Sequence, residues 1–531
     1  MKMKKCIETL RLPRLILVIS VVLLSNSMAG SGPGSVLRVG IHTFPASLNP
    51  VYATSETSQA IMNKVFDSLF YYDAGGKITR GLVKDYHLDQ KGNDTEILIQ
   101  LKENTFFSDG KELESDDVIL TIKLLQDKAF KYPYISDLQF IKKVEKVDRF
   151  RLKIKLNTRF APWKNRLTFK ILNSREIRNA VPAAFPDQTL SGTGPYRLKT
   201  IKTPTKIILE LNDFYSPSRG RKRMYRFIEY IVVAYTHLMP LKLLNNEIDI
   251  GELQPEHADA YRNTPGWQQR FRILKYKKFG YTYLVFNTRN SALTGNLRHL
   301  FYNLLIRGDF LDRFLRNRGE RVITPFLVLN SRIESTLPET VITTPPPLKQ
   351  PLRLKILTNS ESKLRKEFVL FLRKELKAFN IHLEPVFSEY HSFLEYLKKG
   401  RFDIAVSAYM LDIDYDIKDI LGSSSYFNYA NFHCPEMDAL LDRGLRELDP
   451  QKREEIYMKA HGLWREEIPL VPLFNLYYYV GISGKVEIPG EIYTLVSAVG
   501  DFLFNIHLWQ EKTDQVPNTN TNTNTNTNTN T

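Results

Sequence analysis

Cysteine is almost absent from this chain: Cys6 and Cys434 are the only two in 531 residues. Cys6 lies in an N-terminal leader that is expected to be removed, which would leave Cys434 alone. A single cysteine forms no internal disulfide and builds no cysteine-based zinc cluster, so the fold must rest on its core. Long apolar runs are just as scarce. Only Leu15–Leu24, apolar except for Ser20, is greasy enough to enter a membrane. A spanning helix needs ~20 such residues, so a chain that crosses a membrane repeatedly is excluded. Catalytic signatures are missing too. There is no His-Glu-x-x-His, the ten histidines are scattered, and no Gly-x-Ser-x-Gly occurs. Gly192-Thr193-Gly194-Pro195 is followed by Tyr196-Arg197, which is not a phosphate-binding loop. Cys434 follows His433, but adjacency in sequence is not the spatial pairing a thiol nucleophile needs, and it reads as an idle or structural thiol.

What the chain has in excess is positive charge. Lys and Arg number 74 against 58 Asp and Glu, a formal +16. Hydrophobic residues at 43% and charged residues at 25% are ordinary for a folded protein and exclude a mostly disordered one. Basic excess alone suits nucleic acid, a membrane surface or anionic partners. The densest run, Arg219, Arg221, Lys222, Arg223 and Arg226 with Tyr225 and Phe227, mixes cations with aromatics as single-strand binders do. No nucleic-acid fold accompanies it, so it reads as a solvated loop and no nucleic-acid partner is expected.

The ends read most plainly. Lys2, Lys4, Lys5, Arg11 and Arg14 precede the apolar run, and Ser27-Met28-Ala29 follows with small residues at alternating positions. This is the pattern of a cleavable secretory signal peptide over 1–29, with cleavage after Ala29 and a retained membrane anchor as the alternative, so a periplasmic or extracytoplasmic location is expected. No cysteine follows the run, which disfavours a lipoprotein. The leader carries a net +4, leaving +12 on the exported chain. Asn518 to Thr531 alternates Asn and Thr with nothing apolar to bury, and 513–531 is read as a disordered tail.

Between the ends, alternation marks strands at Leu37, Val39 and Ile41, at Ile97, Ile99 and Leu101, at Phe150–Leu156, and at Ile207, Leu209 and Leu211. Phe150–Leu156 predicts one buried and one cationic face. Ser115 is expected to cap a helix with Asp116 and Asp117 in its first turn. After Pro345-Pro346-Pro347 the rhythm changes. Strands around Leu352–Ile356, Ile381–Val386 and Phe402–Val406 alternate with helical spacings from Leu364 to Phe379 and from Phe393 to Leu397. That order predicts an α/β lobe with a substantially parallel sheet. Met437, Leu440 and Leu441 mark a further helix. Asp449 with Pro450 predicts the start of a longer one that turns Ile456, Ala460 and Leu463 inward.

Several segments, in order, resemble family 5 extracytoplasmic solute-binding proteins of ABC importers, the oligopeptide- and dipeptide-binding group. Ala46-Ser47-Leu48-Asn49-Pro50 is similar to the family's S-L-D-P opening. Phe107-Ser108-Asp109-Gly110-Lys111-Glu112-Leu113 with Asp116-Asp117-Val118 is similar to its F-S-D-G stretch. Gly192-Thr193-Gly194-Pro195-Tyr196-Arg197-Leu198 matches its G-T-G-P-Y segment, and Asn212-Asp213-Phe214-Tyr215 follows as N-x-x-Y. Phe66–Phe70, Asn246–Ile250, Asn287-Thr288, Ile306–Phe310, Asn431–Leu441 and Ile468–Leu473 continue the resemblance.

The resemblance implies an α/β, periplasmic-binding-protein-like two-lobed clamshell of class II type, made of three domains. Domain I would be discontinuous, at 30–70, 190–280 and 485–512. Domain II would be inserted at 71–189, and domain III would be the α/β lobe at 281–484. The implied activity is non-enzymatic. A short peptide is enclosed between the lobes and handed to an ABC permease and ATPase complex in the inner membrane, by a monomer without cofactor or metal. A same-fold binder of a metal chelate, haem, sugar oligomer or cell-wall peptide is the alternative, and an exported hydrolase a remote one.

Family peptide binders hold the ligand ammonium with an Asp in a W-x-x-D-Y segment. Here that segment is Tyr409-Met410-Leu411-Asp412, which makes Asp412 the expected holder and Tyr409, Met410 and Leu411 its neighbours. Asp414 also precedes a Tyr, so the register could shift onto it. Thr54, Ser55 and Glu56 stand where the family lines the peptide backbone, and Tyr134 where a Tyr flanks the ligand. Phe279, Gly280, Tyr281 and Tyr283 fall on the strand that crosses between domains, as ligand contacts or as hinge packing. The Arg that some members offer to the ligand carboxylate is replaced by Val406 and Ser407, with Lys277 and Lys278 as possible substitutes.

Overall fold

A computed structural model describes residues 35–511 except 74–75, 92–93, 216–224, 308, 327–346, 411–413, 489–494, 497–502 and 504–505. The expected signal peptide, the Asn-Thr tail and most of the basic run at 219–226 lie outside the described residues.

Two large apolar cores organise the chain. The first gathers Leu37, the helix and strand residues between Val51 and Tyr230, and returns to Val480, Ile482 and Trp509. The second runs from Phe279 to Phe474. A smaller cluster around Met239, Trp267 and Phe271 sits beside the first. The described residues form a mixed α/β architecture of two lobes.

Each alternating pattern is a strand. Val36–Ile41 pairs in parallel with Phe227–Val232. Arg151–Leu156 lies in a four-stranded antiparallel sheet with Val83–Lys91, Asp94–Leu101 and Ile141–Lys146. Leu152, Ile154 and Leu156 face the core, and Lys153 and Lys155 on the other face both reach Glu96, at 3.0 and 2.9 Å. In the second lobe Leu352–Asn359 is parallel to both Ile381–Ser388 and Ile404–Met410, with helices Lys363–Glu375 and Tyr390–Lys398 in the connections. The expected parallel α/β arrangement is what forms.

The helix Pro450–Glu467 begins as its sequence predicts. The Asp449 carboxylate accepts from the N–H groups of Gln451 and Lys452, and Pro450 takes the first helical position, where no N–H is needed. Ile456 and Ala460 are buried, Leu463 is half-buried against the same core, and Trp464 beside it is fully buried. The cap at Ser115 is a correction. Glu114 is the capping residue of Ser115–Gln126, its N–H donating to Asp117 Oδ2 at 2.7 Å. Ser115 Oγ donates instead to the carbonyl of Asp148 at 2.6 Å. Asp117 is wholly buried, so its charge needs partners, and it finds Lys111 and the Ser174 N–H.

One strand joins the lobes. Leu470–Ser483 pairs antiparallel with Gly280–Phe286 and Gly319–Arg321 at its start, and with Ile250–Leu253 and Phe271–Lys278 towards its end. Its first five residues and its last five are buried, while Asn475–Tyr478 between them are half-buried. The second crossing is made by Phe271–Lys278 running into Gly280–Phe286. Asn475 Nδ2 donates to the carbonyl of Lys278 at 2.7 Å and ties the two crossings together.

Candidate ligand-binding cleft

The first wall starts at the Ser47-Leu48-Asn49-Pro50 turn. Asn49 is buried, donates from Nδ2 to the Phe185 carbonyl at 2.7 Å and accepts from the Val51 N–H at 3.0 Å. These bonds fix the turn that presents Val51 to Thr54. Ser55 then caps the helix Glu56–Val65, whose Gln59, Met62 and Asn63 line a cavity of about 460 Å³. Gly192 and Gly194 let the chain press against the end of this helix. A β-carbon on Gly192 would lie 1.9 Å from the Val65 carbonyl oxygen, and one on Gly194 at 2.7 Å. The Gly194 N–H donates to that same oxygen at 2.9 Å, which accounts for the two glycines of the Gly-Thr-Gly-Pro segment.

Thr54 and Tyr134 both line this cavity. Tyr134 stands at the rim, edge-on to Tyr132 with ring centroids 5.7 Å apart. Ser55 and Glu56 do not share it. They border a second cavity of about 320 Å³ with His42 and Glu252, and Glu56 pairs with Lys278 at 2.6 Å.

The second wall comes from the α/β lobe. Ile404–Met410 ends the described part of the segment. Tyr409 donates its hydroxyl to Asp419 Oδ2 at 3.1 Å and packs on Phe427. Leu411 and Asp412 lie outside the described residues, as does Ile413. Asp414 is committed elsewhere: the Arg453 guanidinium grips both its oxygens, at 2.6 and 2.8 Å. A shift of register onto Asp414 would have to break that fork.

The two walls meet at Arg166. Its guanidinium lies 3.8 Å from Asp137 of its own lobe and 3.9 Å from Asp416 of the other. Burial pushes the Asp416 carboxyl up to about 6, with Asp414 and Asp419 adding repulsion and the Lys418 N–H and Arg166 opposing. Burial also raises Asp137, against the pull of Arg166. Sequence reasoning passed over Arg166, Asp137 and Asp416. The available signal was the spacing Asp412, Asp414, Asp416, which puts a carboxylate at every second residue beside the expected holder.

The crossing strand is packed rather than open. Phe279, Gly280, Tyr281 and Tyr283 are all buried, and the Tyr281 hydroxyl donates to the Pro325 carbonyl at 3.1 Å. In this conformation they pack at the crossing between the lobes. Lys277 and Lys278 are also engaged, Lys277 with Glu320 at 2.6 Å and Lys278 with Glu56.

The family description "Bacterial extracellular solute-binding proteins, family 5 Middle" matches residues 77–307. Over these residues the chain matches this family. The chain resembles the oligopeptide-binding protein AppA of Bacillus subtilis, 22% identical over 87% of this chain and 91% of that one. The structure of that protein with a nonapeptide has a TM-score of 0.68, at 20% identity, covering 90% of this chain and 99% of that one. The nickel-binding protein NikA of Staphylococcus aureus is 24% identical over 60% of this chain, and the match spans 61% of that protein. The ABC transporter substrate-binding protein CtaP of Listeria monocytogenes has a TM-score of 0.77, at 20% identity, covering 90% of this chain and all of that one. Family 5 proteins are extracytoplasmic solute-binding proteins of ABC transporters rather than enzymes. Among the described residues no helix is long and apolar enough to cross a membrane.

Proposed function

We propose that this protein captures short peptides between its lobes and delivers them to an ABC permease and its ATPase. The observation that carries this reading is the facing of the two walls. A cavity of about 460 Å³ bordered by Thr54 and Tyr134 is met across the cleft by an acid-rich segment that begins beside Tyr409. A carboxylate in a cleft that sheds water on closing gains a charge-assisted hydrogen bond from a ligand ammonium. Asp412 is the holder in this reading, with Tyr409, Met410 and Leu411 around the ligand's first residue. Thr54 offers backbone along the peptide, which gives binding tolerant of sequence. The protein acts as an exported monomer, with domain boundaries near 70, 190, 280 and 485. Closure about the crossing strands is the signal that the permease reads.

The test is binding of the purified full chain to tri- to pentapeptides, followed by thermal shift and native mass spectrometry. Peptides are expected to raise Tm and to appear as bound mass. Asp412→Ala is expected to weaken peptides with a free N-terminus at least ten-fold more than their N-acetylated forms. Stabilisation by a nickel–histidine mixture and by no peptide would overturn the reading in favour of a metal chelate.

A further inference from the structure

Three of the segments that carry the family resemblance meet in another cavity, of about 220 Å³. Asp67 follows the far end of the helix Glu56–Val65, Thr193 belongs to the Gly-Thr-Gly-Pro segment, and Tyr215 ends the run that starts at Asn212. Lys102 and Lys170 border the same space. Every residue that lines it belongs to the first lobe, so the facing of the lobes does not create it. Backbone groups fix its frame. The Ile171 N–H donates to the Asp67 carbonyl at 3.1 Å, the Lys102 N–H to the Leu82 carbonyl at 2.9 Å, and Asn212 Nδ2 to the Gly194 carbonyl at 2.9 Å.

The cavity holds charges of both signs that do not neutralise one another. Asp67 Oδ2 accepts from the Thr193 hydroxyl at 3.1 Å. Among the described residues no other hydrogen bond reaches this carboxylate, and no lysine closes to an ion pair with it. Loss of water pushes the Asp67 carboxyl up, against the pull of Thr193, Lys170 and Lys102. Lys170 Nζ is turned to Ser68 Oγ at 3.2 Å, and Lys102 is exposed. A carboxylate that has lost water without gaining a cation is costly to keep ionised. Phe66 and Leu82 supply buried hydrocarbon beside it.

Opposite charges held apart across a small space suit a ligand that carries both. A primary ammonium would give Asp67 the charge-assisted bonds it lacks, and a carboxylate would answer the lysines. An apolar cavity of about 150 Å³ already accepts a benzene ring, so this space takes a molecule of amino-acid size rather than a peptide of several residues. We propose that the cavity is a second binding site, built wholly within the first lobe, for a free α-amino acid, with the ligand ammonium on Asp67 and its carboxylate on Lys102 and Lys170. The assignment does not rest on the peptide reading above. Asn63 and Lys170 also border the 460 Å³ cavity, so the two spaces share a wall.

Thermal shift of the full chain against the standard amino acids one at a time, followed by titration calorimetry of those that stabilise it, tests this. At least one amino acid is expected to raise Tm, while its N-acetyl and its C-amide derivatives do not. Asp67→Asn keeps an acceptor for Thr193, and Lys102→Gln alters an exposed residue. Each should weaken the amino acid about ten-fold or more, the worth of one charged hydrogen bond, in protein whose circular dichroism is unchanged. If Asp67→Asn does not fold, Lys102→Gln decides alone. Binding of no amino acid would overturn the site. Equal binding of the N-acetyl and C-amide derivatives would overturn it as well, since neither is a zwitterion. An affinity that neither substitution changes would place the amino acid elsewhere, and would also overturn it.

Discussion

Asp416 and His461 are both carried into surroundings poor in water, and acid acts on them in opposite directions. Asp416 has its folded-state pKa raised, to about 6 from 3.8, mainly by burial. The folded state therefore holds the proton more tightly than the unfolded chain. Its contribution is fully present below about pH 3.8 and is lost as pH rises through 6. His461 packs against Trp464 and Phe326, its Nε2 has no hydrogen-bond partner, and burial lowers it to about 4. It stays neutral at physiological pH, and its contribution is present above 6.5 and lost as pH falls through 4. Asp416→Asn should raise Tm at pH 7.5, by an amount whose upper bound corresponds to about 3 kcal/mol. The gain should shrink to nothing near pH 4, as followed by thermal melts across that range. An unchanged difference at both ends would mean that Asp416 is not held in the strained, ionised form. The cluster around Asp416 was not legible in the sequence, because Arg166 and Asp416 are far apart along the chain and only the fold brings them within 3.9 Å.

At the scale of elements, local periodicity carried most of the information. Arg151–Leu156 could be read as a strand with a cationic face because alternation and pleat have the same period. Pro450–Glu467 could be read from its cap because Asp449 and Pro450 act within one turn. Ser115 misled for the opposite reason. Its hydroxyl was recruited by the Asp148 carbonyl, a partner that local rules do not contain, and Glu114 with Asp117 took over the cap. The Gly192-Thr193-Gly194 segment was legible as a motif but not as a contact. Its glycines are required by the carbonyl of Val65 at the end of the helix lining the cleft. Gly194→Ala should therefore cost about 1–3 kcal/mol, since backbone rather than a pliable side chain stands in the way. Urea unfolding should show a lower midpoint at an unchanged slope. A loss below 0.5 kcal/mol would show that the helix end yields.

At the scale of the whole molecule, the described residues join the two cores through two strand crossings, and Arg166 and Asp416 are among the groups that meet across the cleft. The ion pair is partly exposed and is worth about 0.5–1 kcal/mol. Arg166→Met should shift the ligand-free protein towards open forms by a factor of about two to five. Small-angle X-ray scattering would then give a larger radius of gyration without ligand and the same radius with it. Identical ligand-free profiles would show that the pair does not bias closure. The two-lobed plan was legible through the ordered family motifs, whereas the sequence leaves Tyr281 and Tyr283 readable equally as ligand contacts or as packing, because an aromatic on a crossing strand suits both; in the fold both are buried.

The strand Leu470–Ser483 also governs when the molecule can finish folding. It pairs with strands whose residues were made some 150 to 230 positions earlier, Ile250–Leu253, Phe271–Lys278, Gly280–Phe286 and Gly319–Arg321. Until it arrives, the first core lacks Val480 and Ile482 and the second lacks Leu470, Val471, Leu473 and Phe474. Long-range pairing of this kind slows folding. During synthesis both lobes therefore wait, unsealed, for the last eighth of the chain, and they close together on a single late segment.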